Sequence, residues 1–339
     1  MINRVYRLVE PKKFQICFLD QDLSADRVFV RPTYLAICAA DQRYYLGLRP
    51  KEVLDKKLPM SLIHEAIGEV IFDAKGEFKK GDRVVMIPNT PTLTSDVIKE
   101  SYLPKTKFRS SGYDGFMQSA VPMRRDRIIK LGPNASNEAA SFIEMFSIPF
   151  SILDEFDKTA HSIRDSFGVW GDGNIGFVTA LVIKKKYPNA KVYVIGKDRE
   201  KMNYFSFVDG TYDADELPEG FKVDHAFECC GGKFSENAIN QIIDYIGPQG
   251  TIGLLGVSEQ PPRINTRMVL EKGLTLVGSS RSGYMDFKRA ADMLEDPEVN
   301  NYLSTIVSEI VDIDKLEDIN KAFDSDATNK FKTILKWNL

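Results

Sequence analysis

The sequence predicts two domains of different class: a β domain, followed by an α/β domain built on a doubly wound parallel sheet. Two patterns carry that prediction. Over residues 1–140 the chain supplies short β-rich runs, among them "DRVFVRPTYLAIC", "IGEVIFDA" and "GDRVVMIP", separated by Gly, Pro and Asp turn signals. From Phe142 the period changes. Apolar runs of helical length lead into "SFGVWGDGNIGFVTALVIKKKYPNAKVYVIGKDREK", which reads as strand, glycine turn, helix and second strand. The runs "VDHAFECCGG", "GTIGLLGV" and "GLTLVGSS" then alternate with helical segments such as "SENAINQIIDYI", as crossovers in a parallel sheet require. The α/β domain is expected over 141–284. The tail, 285–339, mixes helix with a final strand and is expected to return in part to the first domain. The polar stretch Leu93 to Ser111 shows no strand alternation and is expected to be a mobile surface excursion.

Composition narrows the function classes. A chain of 339 residues with 43% hydrophobic and 27% charged residues suits a soluble globular protein, and a net charge of -3 offers no basic field for nucleic acid. The amino terminus, "MINRVYRLVEPKKF", has no signal-peptide core, and no window approaches the roughly 18 apolar residues of a membrane span. A cytoplasmic protein acting on a small molecule is expected. Its four cysteines, Cys17, Cys38, Cys229 and Cys230, are too few for a disulfide framework at this length and are expected as thiols.

The glycine pattern Gly171-Asp172-Gly173-Asn174-Ile175-Gly176 sits between an apolar strand and a helix, the setting that turns a weak motif into a dinucleotide fingerprint. Gly171 permits the tight turn, Gly173 lets the backbone approach a pyrophosphate, and Gly176 lets the helix pack close, while the helix amino terminus attracts the anion. The second strand, "KVYVIGK", ends in Gly196 and Lys197 with Arg199 and Lys201 behind. A carboxylate there would repel a 2′-phosphate, and cations attract one, so NADP(H) is expected over NAD(H). Asp198 is the dissenting acid.

In "ICAADQRYY", Cys38 stands alone until "SLIHEAIGEV" brings His64 and Glu65 twenty-six positions on. A thiolate, an imidazole and a carboxylate are the donors of a catalytic zinc site, which keeps a further position open. Asp41 suits an orienting partner better than a ligand.

The succession "CAAD", "HEAIGEV", "GDRV", "GYDGFMQ" and "WGDGNIGF" resembles the zinc-dependent medium-chain dehydrogenases across nearly the whole chain. Within them, "PMSLIHE", "RSSGYDGFMQ" and "GSSRSG" look like the ribulose-5-phosphate reductases that make ribitol 5-phosphate for teichoic acid and related surface polymers. The resemblance implies a GroES-like catalytic domain over 1–140 and a Rossmann NADP-binding domain over 141–284. It carries the zinc ligands onto Cys38, His64 and Glu65, with Glu144 of "SFIEMFS" matching a later acidic ligand. Two departures stand out. No cysteine lies between Leu93 and Ser111, where relatives hold a structural zinc, so one catalytic zinc per chain is expected. Ala40 replaces the usual Ser or Thr proton relay, leaving Glu65 with a water, or the hydroxyl of Tyr44.

A phosphorylated ketose needs cations at its far end, and Arg43 is the first choice, with Arg109 and Arg281 beside it. The resemblance further implies NADPH as cofactor, a homodimer through the "GTIGLLGV" and "GLTLVGSS" region, and a complex with a ribitol-5-phosphate cytidylyltransferase. Two other readings stay open: a zinc polyol dehydrogenase of an unphosphorylated sugar, and a silent dinucleotide-binding interaction protein.

Overall fold

Along Ile2–Glu10 the two end residues are exposed while Val5, Tyr6 and Leu8 are buried, so the middle of the strand enters the core. The computed structural model describes residues 1–339 throughout and divides the chain into two units, Met1–Met145 with Ser282–Leu339, and Phe146–Arg281. In the first, Ile2–Glu10 pairs antiparallel with Lys13–Asp20 and with Met60–Ser61. A seven-stranded sheet runs through Ile128–Lys130, Arg83–Met86, Glu65–Asp73, Arg27–Ala36, Lys332–Trp337 and Val307–Ile313, with Val121–Arg124 pairing on Arg27–Ala36. The core of this unit is aromatic: Tyr6 meets Trp337 edge to face, and Phe14, Tyr45 and Phe323 cluster. The strand Lys332–Trp337 lies antiparallel to Arg27–Ala36, so the carboxy-terminal segment is built into the seven-stranded sheet.

The excursion at Leu93 to Ser111 is anchored, contrary to the mobility its composition suggests. Arg127 donates to the Glu100 carboxylate at 2.8 and 3.0 Å, the Tyr284 N–H donates to it at 2.8 Å, and Ser110 is buried. Polar composition hid this because the anchors are ionic.

The second unit carries a six-stranded parallel sheet: Gly210–Asp213, Lys191–Gly196, Ser166–Trp170, His225–Glu228, Thr251–Leu254 and Thr275–Gly278. Numbered along the chain, its order is 3-2-1-4-5-6, the doubly wound dinucleotide-binding arrangement. Its central strands are buried on both faces, which is why "FGVW" and "HAFE" read as continuous rather than alternating runs. Thr251–Leu254 is paired on both sides; Thr275–Gly278 alone of the two expected interface strands has a free edge.

His225 is fully buried in that sheet. Its Nδ1 accepts from the Thr251 N–H at 3.1 Å, so its Nε2–H donates to the Ile163 carbonyl at 3.0 Å. Burial, then the neighbouring His161, pulls its pKa down to about 4. The folded value lies below the ordinary one, so stability is complete above pH ~6.5 and is lost as pH falls toward 4, by about 3 kcal/mol. Guanidinium unfolding of wild type and His225→Gln from pH 7 to pH 4 checks this; parallel curves would assign the acid loss to other groups.

Candidate active site

Ladder register assembles the metal-type donors. Ala36 pairs with Glu65 where Arg27–Ala36 ends and Glu65–Asp73 begins, so the residues just beyond, Cys38 and His64, are brought to the same end of the sheet. Cys38 then caps the helix Ala39–Tyr45. The Cys38 thiol, a His64 ring nitrogen and a Glu65 carboxylate oxygen all lie within 4.8 Å of one another. Ile63, immediately before them, holds a left-handed φ of 68°, a strained conformation of the kind found at functional sites.

Asp41 organises this group. Its Oδ1 accepts from the Ile63 N–H at 3.0 Å and the Ser110 hydroxyl at 2.6 Å; its Oδ2 accepts from the Cys38 N–H at 3.3 Å and faces His64 Nδ1 at 3.5 Å. Burial opposes its charge, yet His64 and these donors hold its carboxyl below the usual range. Burial likewise opposes a charged His64, but Asp41 and Cys38 outweigh it and raise the imidazole well above its usual value. A field that favours a proton there also favours a divalent cation, and Asp41 at Nδ1 leaves the other ring nitrogen for it. The residues fit a zinc ion by donor chemistry as well as spacing.

Glu65 has a partner that sequence reading missed. Buried Lys332 bonds both its oxygens at 2.6 and 2.7 Å and also donates to the Ile37 carbonyl at 3.2 Å. A lysine at the head of an apolar strand gives no signal of this, since its partner is 267 residues away. Glu144 is buried near the group, and burial, with Glu65 and Asp41 adding to it, pushes its pKa up to about 7. It stands outside the three-donor cluster. Tyr44 is buried on the Cys38 helix with Arg49 over its ring at 5.2 Å, and burial raises its hydroxyl.

The three arginines separate. Arg43 lies on the Cys38 helix. Arg109 is held by the main chain: its terminal nitrogens donate to the Asp114 and Pro122 carbonyls at 3.1 and 3.2 Å beside the rings of Tyr113 and Phe116, while its Nε has no partner. Arg281 belongs to the other unit, at a φ of 66° after the last parallel strand.

In that unit the glycine turn has the expected geometry. Gly171 has a φ of 132°, and a Cβ at Gly176 would fall 1.9 Å from the Gly171 carbonyl oxygen, so the helix touches the turn itself; Gly173 faces open space. No side chain caps the helix Asn174–Lys186, leaving its first N–H groups for an anion. Asn174 and Ile175 form its first turn. A hollow of about 430 Å³ lies beside it, lined by Gly171, Asp172, Gly196, Lys197, Lys201 and Asp215.

Two details could not be read from the motif. Asp172 Oδ2 accepts from the Lys197 and Asp198 N–H groups at 2.7 and 2.8 Å, tying the turn to the end of the second strand. Asp198, the dissenting acid, instead caps Arg199–Met202 through the Glu200 and Lys201 N–H groups. Lys197 pairs with Asp215, while Arg199 turns to Glu216 at 3.1 Å and does not line the hollow; Lys201 does. A larger hollow, about 540 Å³, lies by Pro91–Ser95 in the first unit, but Arg124, Asp126, Arg127 and Glu100 there pair with one another and none of the donor cluster lines it.

A parallel sheet of the dinucleotide-binding order and a cluster of a half-buried thiol with a buried imidazole and carboxylate on one chain are the equipment of an oxidoreductase acting on CH–OH groups. The alcohol dehydrogenase GroES-like domain family matches residues 24–133, and the glucose dehydrogenase C-terminus family matches residues 142–337. The chain belongs to the medium-chain dehydrogenase/reductase family. It is 52% identical over 341 residues to the ribulose-5-phosphate reductase of Bacillus spizizenii W23, covering 100% of both chains. It is 49% identical to ribulose-5-phosphate reductase 1 of Staphylococcus aureus NCTC 8325, covering 99% of both. The crystal structure of S. aureus TarJ in complex with NADPH aligns with a TM-score of 0.90 at 45% identity, covering 100% of both chains. No helix is long and apolar enough to cross a membrane.

Proposed function

We propose that the protein reduces D-ribulose 5-phosphate to D-ribitol 5-phosphate with NADPH, at one catalytic zinc held by Cys38, His64 and Glu65. The observation that carries this reading is end-to-end similarity, at 42 to 52% identity, to proteins named ribulose-5-phosphate reductase. The product would feed a cytidylyltransferase forming CDP-ribitol for teichoic acid or related polymers, the partner with which a complex is expected. A homodimer would form through the free edge of Thr275–Gly278.

When bound, zinc supplies a Lewis acid for the C2 oxygen, and NADPH supplies the hydride. The chain's own residues do the rest. Asp41 fixes the His64 ring and, through the Cys38 and Ile63 N–H groups, the backbone that carries two ligands. Lys332 bonds both Glu65 oxygens and opposes the upward push that burial gives its carboxyl. Glu144, with a pKa near 7, can hold or release a proton at working pH, and the Tyr44 hydroxyl stays protonated. Arg43 is the candidate for the substrate phosphate, with Arg281 the second. NADPH preference rests on the strand ending in Gly196 without a carboxylate, on Asp198 being spent as a cap, and on Lys197 and Lys201 at the hollow.

The test is oxidation of NADPH and of NADH with D-ribulose 5-phosphate beside D-ribulose, on protein of measured zinc content. Turnover of the phosphate ester with NADPH is expected to exceed every other pairing by at least ~100-fold in kcat/KM, as expected of a site built for a charged group. Arg43→Ala should raise KM for the ester ~10-fold or more and leave D-ribulose unaffected. Equal turnover of both sugars would move the protein to the unphosphorylated polyol dehydrogenases.

A further inference from the structure

We propose that Asn89 binds a hydroxyl group of the ketose chain, making its amide a specificity-determining contact of the substrate site. This rests on the reading of the protein as a ketose-phosphate reductase. Asn89 lies in the short strand Asn89–Thr90 and is 0% exposed, yet neither its Oδ1 nor its Nδ2 has a hydrogen-bond partner. A primary amide offers two donors and a two-lone-pair acceptor, and sealing both ends away unmet forfeits the solvation of each. Native interiors retain so few such groups that this one calls for a ligand or a trapped water.

The main chain and hydroxyls on either side of Asn89 are bonded. The Pro88 carbonyl accepts from the Arg109 N–H at 3.2 Å and from the Tyr113 hydroxyl, and the Thr90 hydroxyl lies 3.4 Å from the same Tyr113 oxygen. The orphan amide therefore sits in a bonded segment, with both of its polar atoms unmet.

Its placement selects the occupant. Asn89 stands directly opposite Phe108 in the antiparallel ladder with Lys107–Phe108, so the two side chains share one face. The Phe108 ring lies 5.3 Å from the His64 ring. The amide is thus on the face of the lobe that neighbours the donor cluster, where a substrate carbonyl would be held. Beside an apolar ring, a leucine would pack as well and without the penalty. An amide adds only the ability to donate to and accept from one uncharged polar group, and the ketose phosphate presents a row of them. Its phosphate and carbonyl have other candidates; its hydroxyls have had none.

The experiment uses the zinc-containing full chain with Asn89→Leu and, as the smaller replacement, Asn89→Ser. For Asn89→Leu the expected result is a melting temperature equal to or above wild type without substrate, KM for D-ribulose 5-phosphate raised about tenfold or more, and KM for NADPH and zinc content unchanged. Addition of D-ribulose 5-phosphate should raise the melting temperature of wild type but not of the variant. A lower melting temperature in both variants with an unchanged KM for the ketose would overturn the proposal, showing an amide that secures a structural water. If wild type itself fails to reduce the ketose phosphate, the functional reading falls and this assignment with it; if wild type succeeds and the variants match its KM, only the assignment falls.

Discussion

Cys38→Ser is expected to lose bound zinc and, with it, on the order of a thousandfold of ketose reduction. The exchange is close to isosteric, and Cys38 caps the Ala39–Tyr45 helix with its backbone in extended geometry, a position where serine is at least as good. The fold should therefore survive. What changes is the donor: a thiolate binds zinc tightly, whereas a serine hydroxyl does not ionise at neutral pH. His64 and Glu65 alone would leave the ion two strong ligands, and one of those is shared with Lys332. Zinc content after dialysis, melting temperature and loss of NADPH absorbance are measured on the same preparation. Full turnover without metal would rule out the metal-assisted mechanism.

Lys332→Met is expected to destabilise the metal-free protein by about 3–5 kcal/mol, the range for removing one partner of a buried ion pair. Lys332 and Glu65 are 3% and 0% exposed, and both carboxylate oxygens depend on the one ammonium. Without it, Glu65, Asp41 and Glu144 gather around one imidazole with no lysine to balance them. Glu65 can escape part of the cost by taking a proton, since burial already raises its pKa. Two further measurements separate this account from simple loss of packing. Lys332→Met with Glu65→Gln should lose less than the two single losses added, because the stranded charge is gone. Zinc should restore more stability to Lys332→Met than to wild type, because a divalent cation replaces the missing charge. Additive losses with no zinc dependence would make Lys332 a packing residue.

How far the sequence discloses this site depends on contact range. Cys38, the His64-Glu65 pair and the Gly171-to-Gly176 turn are short motifs whose spacing and flanking elements point to donor or phosphate chemistry. Lys332, Ser110 and Asp172 act on residues 267, 69 and 25 positions away, and each looks ordinary in its own segment. Arg109 shows the converse. A guanidinium near a conspicuous motif reads as an anion contact until the fold brings two backbone carbonyls to it. Asn89 carries no signal at all in "IPNTP", since an amide is remarkable only once it is buried without a partner.

By itself the sequence determined the two-domain class, the parallel sheet and the chemistry of the donors, because periodicity, glycine turns and residue type are local properties. Tertiary structure decided which charges meet. The ladder from Ala36 to Glu65 brings Cys38 to His64, the carboxy-terminal strand delivers Lys332 beneath Glu65, and Asp198 caps a helix. The physical reason is that burial cost and electrostatic partnership depend on distance in space, which a chain encodes only through the register of its sheets.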